Sequence, residues 1–157
     1  MTLFQKILFA TDFSETSINA LDYVVGLKDA GCEEVVLVHV IDIRAISMVY
    51  SEPSGFIEPS GTYDEQVARW MYRNAEEKLS ALSVTLKDAG LKVTSTLIDG
   101  IPYQEIVRIA DAEGVSLIIV GSHGRSDIAQ MLLGSVSENV IRHARQPVLV
   151  IRRETGR

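Results

Sequence analysis

Five short runs rich in β-branched and aliphatic residues punctuate the chain: KILFAT (6–11), EVVLVHVI (34–41), KVTSTLI (92–98), VSLIIVG (115–121) and PVLVIR (147–152). The second, fourth and fifth are apolar at nearly every position, the pattern of strands covered on both faces in a parallel sheet. The third alternates more, which places it nearer an edge. Between the runs the apolar spacing lengthens to that of a helix. Ser14 is placed to cap a first helix, with Glu15 in its first turn and Ile18, Leu21, Val25 and Leu27 on one face up to Gly31. From about 63 to 89, Val67, Met71, Ala75, Leu79, Leu82 and Leu86 recur every three or four residues, and Gly90 stands where that helix ends. Pro102 suits the first position of a third helix carrying Ile106, Ile109 and Ala110 and closed by Gly114. A last helix over 135–145 is expected to bury Val136, Val140, Ile141 and Ala144 before Pro147 stops it.

Strands and helices therefore alternate as β-α-β-α-β-α-β-α-β. That order predicts an α/β fold, an open parallel five-stranded sheet with right-handed crossovers and helices on both faces. In such sheets ligands bind beyond the carboxyl ends of the strands, where the strand order reverses. Attention falls on the residues just after 11, 41 and 121. Residues 42–62, DIRAISMVYSEPSGFIEPSGT, have no clear period and read as a long variable loop on that same edge, either a lid or partner contact or a spacer.

Length and composition narrow the classes. The 157 residues (1–157) suit a single domain, and a net charge of −6 argues against a surface built to bind nucleic acid through its phosphates. A small anion needs only a local patch of donors, so it is not disfavoured. The apolar N-terminal run is too short for a signal peptide, and no stretch reaches the length of a membrane span, so a cytoplasmic location is expected. Cys32 has no second cysteine to pair with and reads as a passive thiol. One cysteine and three dispersed histidines make a zinc site a poor expectation.

The chemistry concentrates in GSHGRSDIAQMLLGSVSENV, residues 121–140. A helix starting near Ser135 offers free backbone N–H groups and about half a positive charge to an anion. Gly134 permits close approach, Ser135 and Ser137 add hydroxyls, and Arg125 supplies a cation. Gly121 and Gly124 allow positive φ and leave space beside the chain. On local physics alone a simple turn with a capped helix explains the same residues equally well. The stretch is neither a Walker loop nor the dinucleotide GxGxxG fingerprint, and TDFSET after the first run contains no glycine. No GxSxG elbow is present.

The spacing G-x2-G-x9-G-S after a hydrophobic strand resembles the ATP-binding signature of the universal stress proteins. KILFATDFSETSINAL, VVLVHVID, GIPYQEIVRIADAEGVSLIIVGSHGRS and LLGSVSENVIRHARQPVLVIR resemble that family's segments in the same order, over essentially the whole length. Residues 42–62 carry little of the likeness. The family's non-ATP-binding branch loses these glycines and this chain keeps them, so the resemblance implies the nucleotide-binding branch and a Rossmann-like, adenine nucleotide alpha hydrolase-like fold. It implies ATP as ligand, with Mg²⁺ or Mn²⁺ held mainly by the phosphates. By position it sets Asp12 toward adenine and ribose, Ala10 and Thr11 along the same edge, and Val40 against the adenine. Gly121 would lie along the ribose, and Gly124, Arg125, Gly134, Ser135, Val136 and Ser137 would surround the phosphates. Ala10 departs from the proline or valine frequent there. It also implies a homodimer through strand 147–152, whose apolar edge would otherwise be exposed.

Each residue also has a plainer reading. Asp12 can cap the first helix, His39 suits a hydrogen-bonded core position, and His123 either approaches phosphate or is solvated. His143 complements a helix dipole, and Trp70, Tyr72 and Phe56 pack or cover loops. The expected function is a nucleotide-dependent regulatory or stress-response protein with no assigned catalytic residue and at most slow ATP hydrolysis, open to an unknown protein partner at 42–62. An ATPase or other nucleotide-processing enzyme is the alternative. A phosphoacceptor domain built on Asp12 and Asp99 fits less well, since Arg152-Arg153 stand where such domains place a lysine.

Overall fold

The computed structural model describes residues 3–46, 61–123 and 133–152. Strands β1 (Lys6–Ala10), β2 (Glu34–Asp42), β3 (Lys92–Gly100), β4 (Leu117–Gly121) and β5 (Val148–Ile151) form one sheet in the order β3-β2-β1-β4-β5. Every pairing is parallel, with Leu8 opposite both Val36 on β2 and Ile118 on β4. Helices α1 (Glu15–Gly26), α2 (Gly61–Asp88), α3 (Pro102–Glu113) and α4 (Ser135–His143) join them. The loop expected at 42–62 is shortened by structure at both ends. Asp42 closes β2, residues 43–46 are helical and α2 starts at Gly61, while 47–60 lie outside the described residues.

Two cores follow from the alternation of side chains along each strand. Ile7, Phe9, Val35, Leu37 and Ile119 face α1 and α2, meeting Ala20, Val24, Leu79 and Leu86. Leu8, Val36, Val38, Ile118 and Val120 face α3 and α4, meeting Ile106, Ile109, Ala110 and Val140. Consecutive apolar residues are needed because both faces are covered. Full burial of each such leucine, isoleucine or phenylalanine contributes roughly 1.5–3 kcal/mol. Strand β3 is an edge with partly exposed positions, as its alternation predicts. Strand β5 is the other edge, and Val148, Leu149 and Val150 are only half-buried. Cys32 is buried in the first core, and desolvation pushes its thiol pKa up.

Helix ends follow local chemistry. Ser14 caps α1 by accepting from Ser17 N, and Gly114 ends α3 in the left-handed region at φ 61°. Pro102 occupies the first turn of α3. Two expectations need correction. Helix α1 buries Thr16, Ser17, Ala20 and Val24 and ends at Gly26, while Ile18 is half exposed; small residues let the helix lie close to the sheet. In α4 Val140 is buried but Ile141 is 45% exposed, because the helix covers an edge strand and leaves that flank uncovered.

The connections from β1 to β3 run one way along the sheet with their helices on one face. Those from β3 to β5 use the other face. The order reverses between the neighbours β1 and β4, and a crevice opens beyond their carboxyl ends.

Candidate functional site

Thr11, the first residue after β1, fixes one wall of this crevice. Its N–H continues the ladder to Val38 O at 2.9 Å. Its Oγ1 accepts from Phe13 N at 3.0 Å and from Ser17 Oγ at 2.5 Å. His39 Nδ1 donates to its carbonyl at 2.7 Å; a carbonyl only accepts, so the proton of a neutral His39 sits on Nδ1. Thr11 is 5% exposed and acts by holding its neighbours.

Phe13 follows at φ 62°, the described non-glycine residue with positive φ. Such a conformation costs roughly 1–2 kcal/mol and persists where the surroundings over-determine it. Here the ring lies 4.4 Å from that of His39, with Lys78 Nζ 5.6 Å from its centroid. Asp12 Oδ1 accepts from Ser14 N at 2.9 Å, which fixes the carboxylate and leaves its second oxygen as an acceptor. Asp12 thus shapes the turn into α1, whereas the cap itself is Ser14.

The opposite wall is the junction of β4 and α4. Ser122 is fully buried, and its carbonyl accepts from Gly134 N at 2.5 Å and from Ser137 Oγ at 3.1 Å. The chain therefore leaves β4 and returns to the same point, where α4 begins. The first intrahelical bond is Glu138 N to Gly134 O at 3.0 Å. The N–H groups of Ser135, Val136 and Ser137 precede it and have no intrahelical partner, as at any helix start. They carry the positive end of the helix dipole. The Ser137 hydroxyl is shared between the Ser122 and Gly134 carbonyls, so its side chain is committed to the backbone of this junction.

Gly121 does not use the positive φ that the sequence allowed it, and an added Cβ would lie 3.2 Å from Thr16 Cγ2 and 3.4 Å from Ser17 N. It is small because α1 packs against it. Gly134 is extended at φ −74° and caps α4 without a side chain. Gly124 and Arg125 lie outside the described residues.

Between these walls lies a cleft of about 900 Å³, near the upper end of the range for small-molecule sites. Ala10, Thr11, Asp12, Val40 and Gly121 line it together with Gly134, Ser135, Val136 and Ser137, so the structure brings together every predicted site residue that it describes. Val38, Val40 and Val120 form an apolar floor at the ends of β2 and β4. His39 lines the cleft while keeping its hydrogen bond. Ser122 Oγ lies 2.9 Å from His123 Nδ1, and Ser14 Oγ reaches the His123 carbonyl at 3.5 Å, tying the two loops across the crevice.

Further lining residues were not anticipated. Phe13 comes from the β1 turn, and Val67, Trp70, Met71 and Asn74 from α2. Trp70 is 65% exposed and does not pack into the core. At the β2 end Arg44 makes a two-pronged pair with Asp42, Nε to Oδ1 at 2.9 Å and Nη2 to Oδ2 at 2.7 Å. The guanidinium hydrogen bond is the main cause holding the Asp42 carboxyl pKa below its usual value. The recurrence of Val67 and Met71 marked a helix face; nothing in the period says that the face overhangs a cleft. Asp42 stood at the correct edge, but Arg44 sat in a segment read as loop.

Comparison with known proteins agrees with the fold. The model of the universal stress protein family matches residues 3–152. Universal stress protein MJ0577 of Methanocaldococcus jannaschii is 40% identical over 159 residues, covering 98% of each chain. Its solved structure superposes with a TM-score of 0.86 over 98% of this chain and 99% of that one. Universal stress protein YxiE of Bacillus subtilis is 32% identical, covering 96% of this chain and all of its own. The universal stress protein of Archaeoglobus fulgidus in complex with dAMP shares the fold at 22% identity and a TM-score of 0.58, over 96% of this chain and 99% of that one. With the match running from the residues before β1 to the residue after β5, the chain belongs to the universal stress protein family.

Proposed function

We propose that the cleft binds ATP and that the protein is a nucleotide-dependent regulator of the family's ATP-binding branch. The observation that carries this reading is the start of α4. Three consecutive backbone N–H groups with no partner among the described residues belong to Ser135, Val136 and Ser137, which line an apolar cleft at the reversal of strand order. Backbone donors in a fixed array suit phosphate oxygens. The valine floor suits a base, and the Asp12 carboxylate suits ribose hydroxyls and repels phosphate, so the ligand is oriented with its phosphates toward α4. The dAMP carried by the Archaeoglobus relative supports an adenine nucleotide in a site of this fold. ATP, when bound, supplies the negative charge that these donors neutralise.

Among the described residues no three His, Cys, Asp or Glu side chains converge on a common point. The proposal has a Mg²⁺ or Mn²⁺ ion accompany ATP, held mainly by the phosphates. Gly124 and Arg125 complete the phosphate end of the proposed site. Binding is favoured over rapid turnover by the state of the nearby hydroxyls. Ser137 donates to two backbone carbonyls, and Ser122 is buried against His123. Hydrolysis needs a base or water-orienting group free to act on the terminal phosphate.

The proposal includes a homodimer through β5. The half-buried Val148, Leu149 and Val150 and the exposed Ile141 support it, since an unpaired apolar edge invites association. No helix among the described residues is long and apolar enough to cross a membrane. The nucleotide reading is tested by denaturing protein purified without added nucleotide and identifying the small molecules released. Adenine nucleotide in amounts comparable to the chain is expected. Neither released nucleotide nor a rise in melting temperature with ATP and Mg²⁺ would sink the reading.

A further inference from the structure

Helix α2 is too long for the sheet it covers. Its 28 residues span about 42 Å, whereas the nine residues of β2 or β3 span about 30 Å. The buried contacts of its later turns, Leu79 and Leu86, lie on the sheet, while Val67, Trp70, Met71 and Asn74 line the cleft beyond the strand ends. The first half of α2 is an overhang. On this half stands Trp70, the chain's single tryptophan, 65% exposed although it lines a cleft. A large apolar ring carried there by a rigid helix offers a stacking face to whatever enters the cleft.

The same end of the cleft holds Arg44. Its Nε and Nη2 grip both oxygens of Asp42, and its own N–H donates to Asp42 Oδ1 at 2.9 Å. The guanidinium plane is fixed and its charge is matched by the carboxylate, yet the side chain is 61% exposed. A matched pair has little net attraction for phosphate. What it presents is a flat cationic face, which stacks on aromatic rings. Strands β2 and β4 flank β1, and β2 runs three residues past the level at which β4 ends, so its end and that of β4 lie roughly 14 Å apart, a distance that a nucleoside phosphate spans.

We propose that Trp70 and Arg44 form a clasp for the base of the bound nucleotide, both stacking on its ring system, and that this clasp favours purines over pyrimidines. The proposal rests on the nucleotide reading above and adds a base-recognition element from α2 and the residues after β2. Purines present the larger stacking face, so the clasp discriminates by area.

The test follows tryptophan fluorescence and equilibrium binding of ATP, CTP and inorganic tripolyphosphate in the wild type, Trp70→Ala, Trp70→Phe and Arg44→Ala. ATP should change Trp70 emission in the wild type, and tripolyphosphate should bind without doing so. Trp70→Ala should weaken ATP about tenfold, within the range for loss of a stacking aromatic. It should weaken CTP less and leave tripolyphosphate unchanged. Trp70→Phe should restore most of the ATP affinity, and Arg44→Ala should narrow the ATP-to-CTP ratio. Because Trp70 is largely exposed, its removal leaves the core intact. Undiminished ATP affinity and an unchanged ATP-to-CTP ratio in Trp70→Ala overturn the clasp while the nucleotide site stands. Equal loss of ATP and tripolyphosphate also overturns it, since that marks a structural role. No ATP binding by the wild type overturns both.

Discussion

A methyl group at Gly121 would meet Thr16 Cγ2 at 3.2 Å and Ser17 N at 3.4 Å, and one of those contacts is backbone. Gly121→Ala therefore pushes α1 away from the end of β4, at a cost of about 1–2 kcal/mol in the range of overpacked sites. A urea denaturation midpoint that falls with an unchanged slope is the expected result; an unchanged midpoint would show that α1 shifts freely. The same displacement moves Ser14 and Asp12, so ligand affinity should fall with stability. Here the sequence was legible in identity, and the structure adds a packing reason that it did not carry. The spacing of Gly121 and Gly134 marked the site, and the ribose was the expected cause of the first glycine. The described contact is with α1, a long-range packing that no local pattern reports. Ser137 is similar: its position was readable, while the direction of its hydroxyl depends on the Ser122 carbonyl fifteen residues earlier in the chain.

Helix ends and helix phases separate two kinds of information. Gly114 holds φ 61° with nothing within 4 Å of an added Cβ, so Gly114→Ala loses stability through the backbone alone, by about 1 kcal/mol. Gly26, the last residue of α1, also has open space and no positive φ, so Gly26→Ala should instead be neutral or stabilising by up to about 0.5–1 kcal/mol. Thermal unfolding of the two variants should move in opposite directions, and a shared direction would refute the backbone argument. Strand positions were legible because burial on both faces writes apolar residues consecutively, as in Val35 to Val38. The phase of α1 was legible in part: Leu21, Val25 and Leu27 do pack against the first core, but its most buried positions include Thr16, Ser17 and Ala20, residues that an apolar count passes over. In α2 the stripe was legible from Val67 to Leu86, but a period does not distinguish a turn that covers sheet from one that overhangs a cleft.

The whole molecule joins two asymmetries. The strand order reverses once, between β1 and β4, and that reversal gathers the Thr11 turn, the valine floor and the α4 start into one crevice. The charge is negative overall at −6, so the anion-binding character proposed for this crevice comes from oriented backbone N–H groups and not from a basic surface. The second edge of the sheet, β5, carries the proposed dimer contact. Light scattering should give a mass twice that of the 17.3 kDa chain at micromolar concentration, and a monomer there would remove that part of the account. The β-α alternation that builds this frame was readable from the periodicity, and the family was readable from a resemblance carried by several segments in order, as the match over residues 3–152 bears out. The central claim, ATP held in the cleft by the start of α4, is tested most directly by equilibrium dialysis of labelled ATP with Mg²⁺ against the intact protein. The account predicts saturable binding approaching one ATP per chain, competed by unlabelled ATP. Uptake that stays proportional to free ATP, with no saturation, would contradict it.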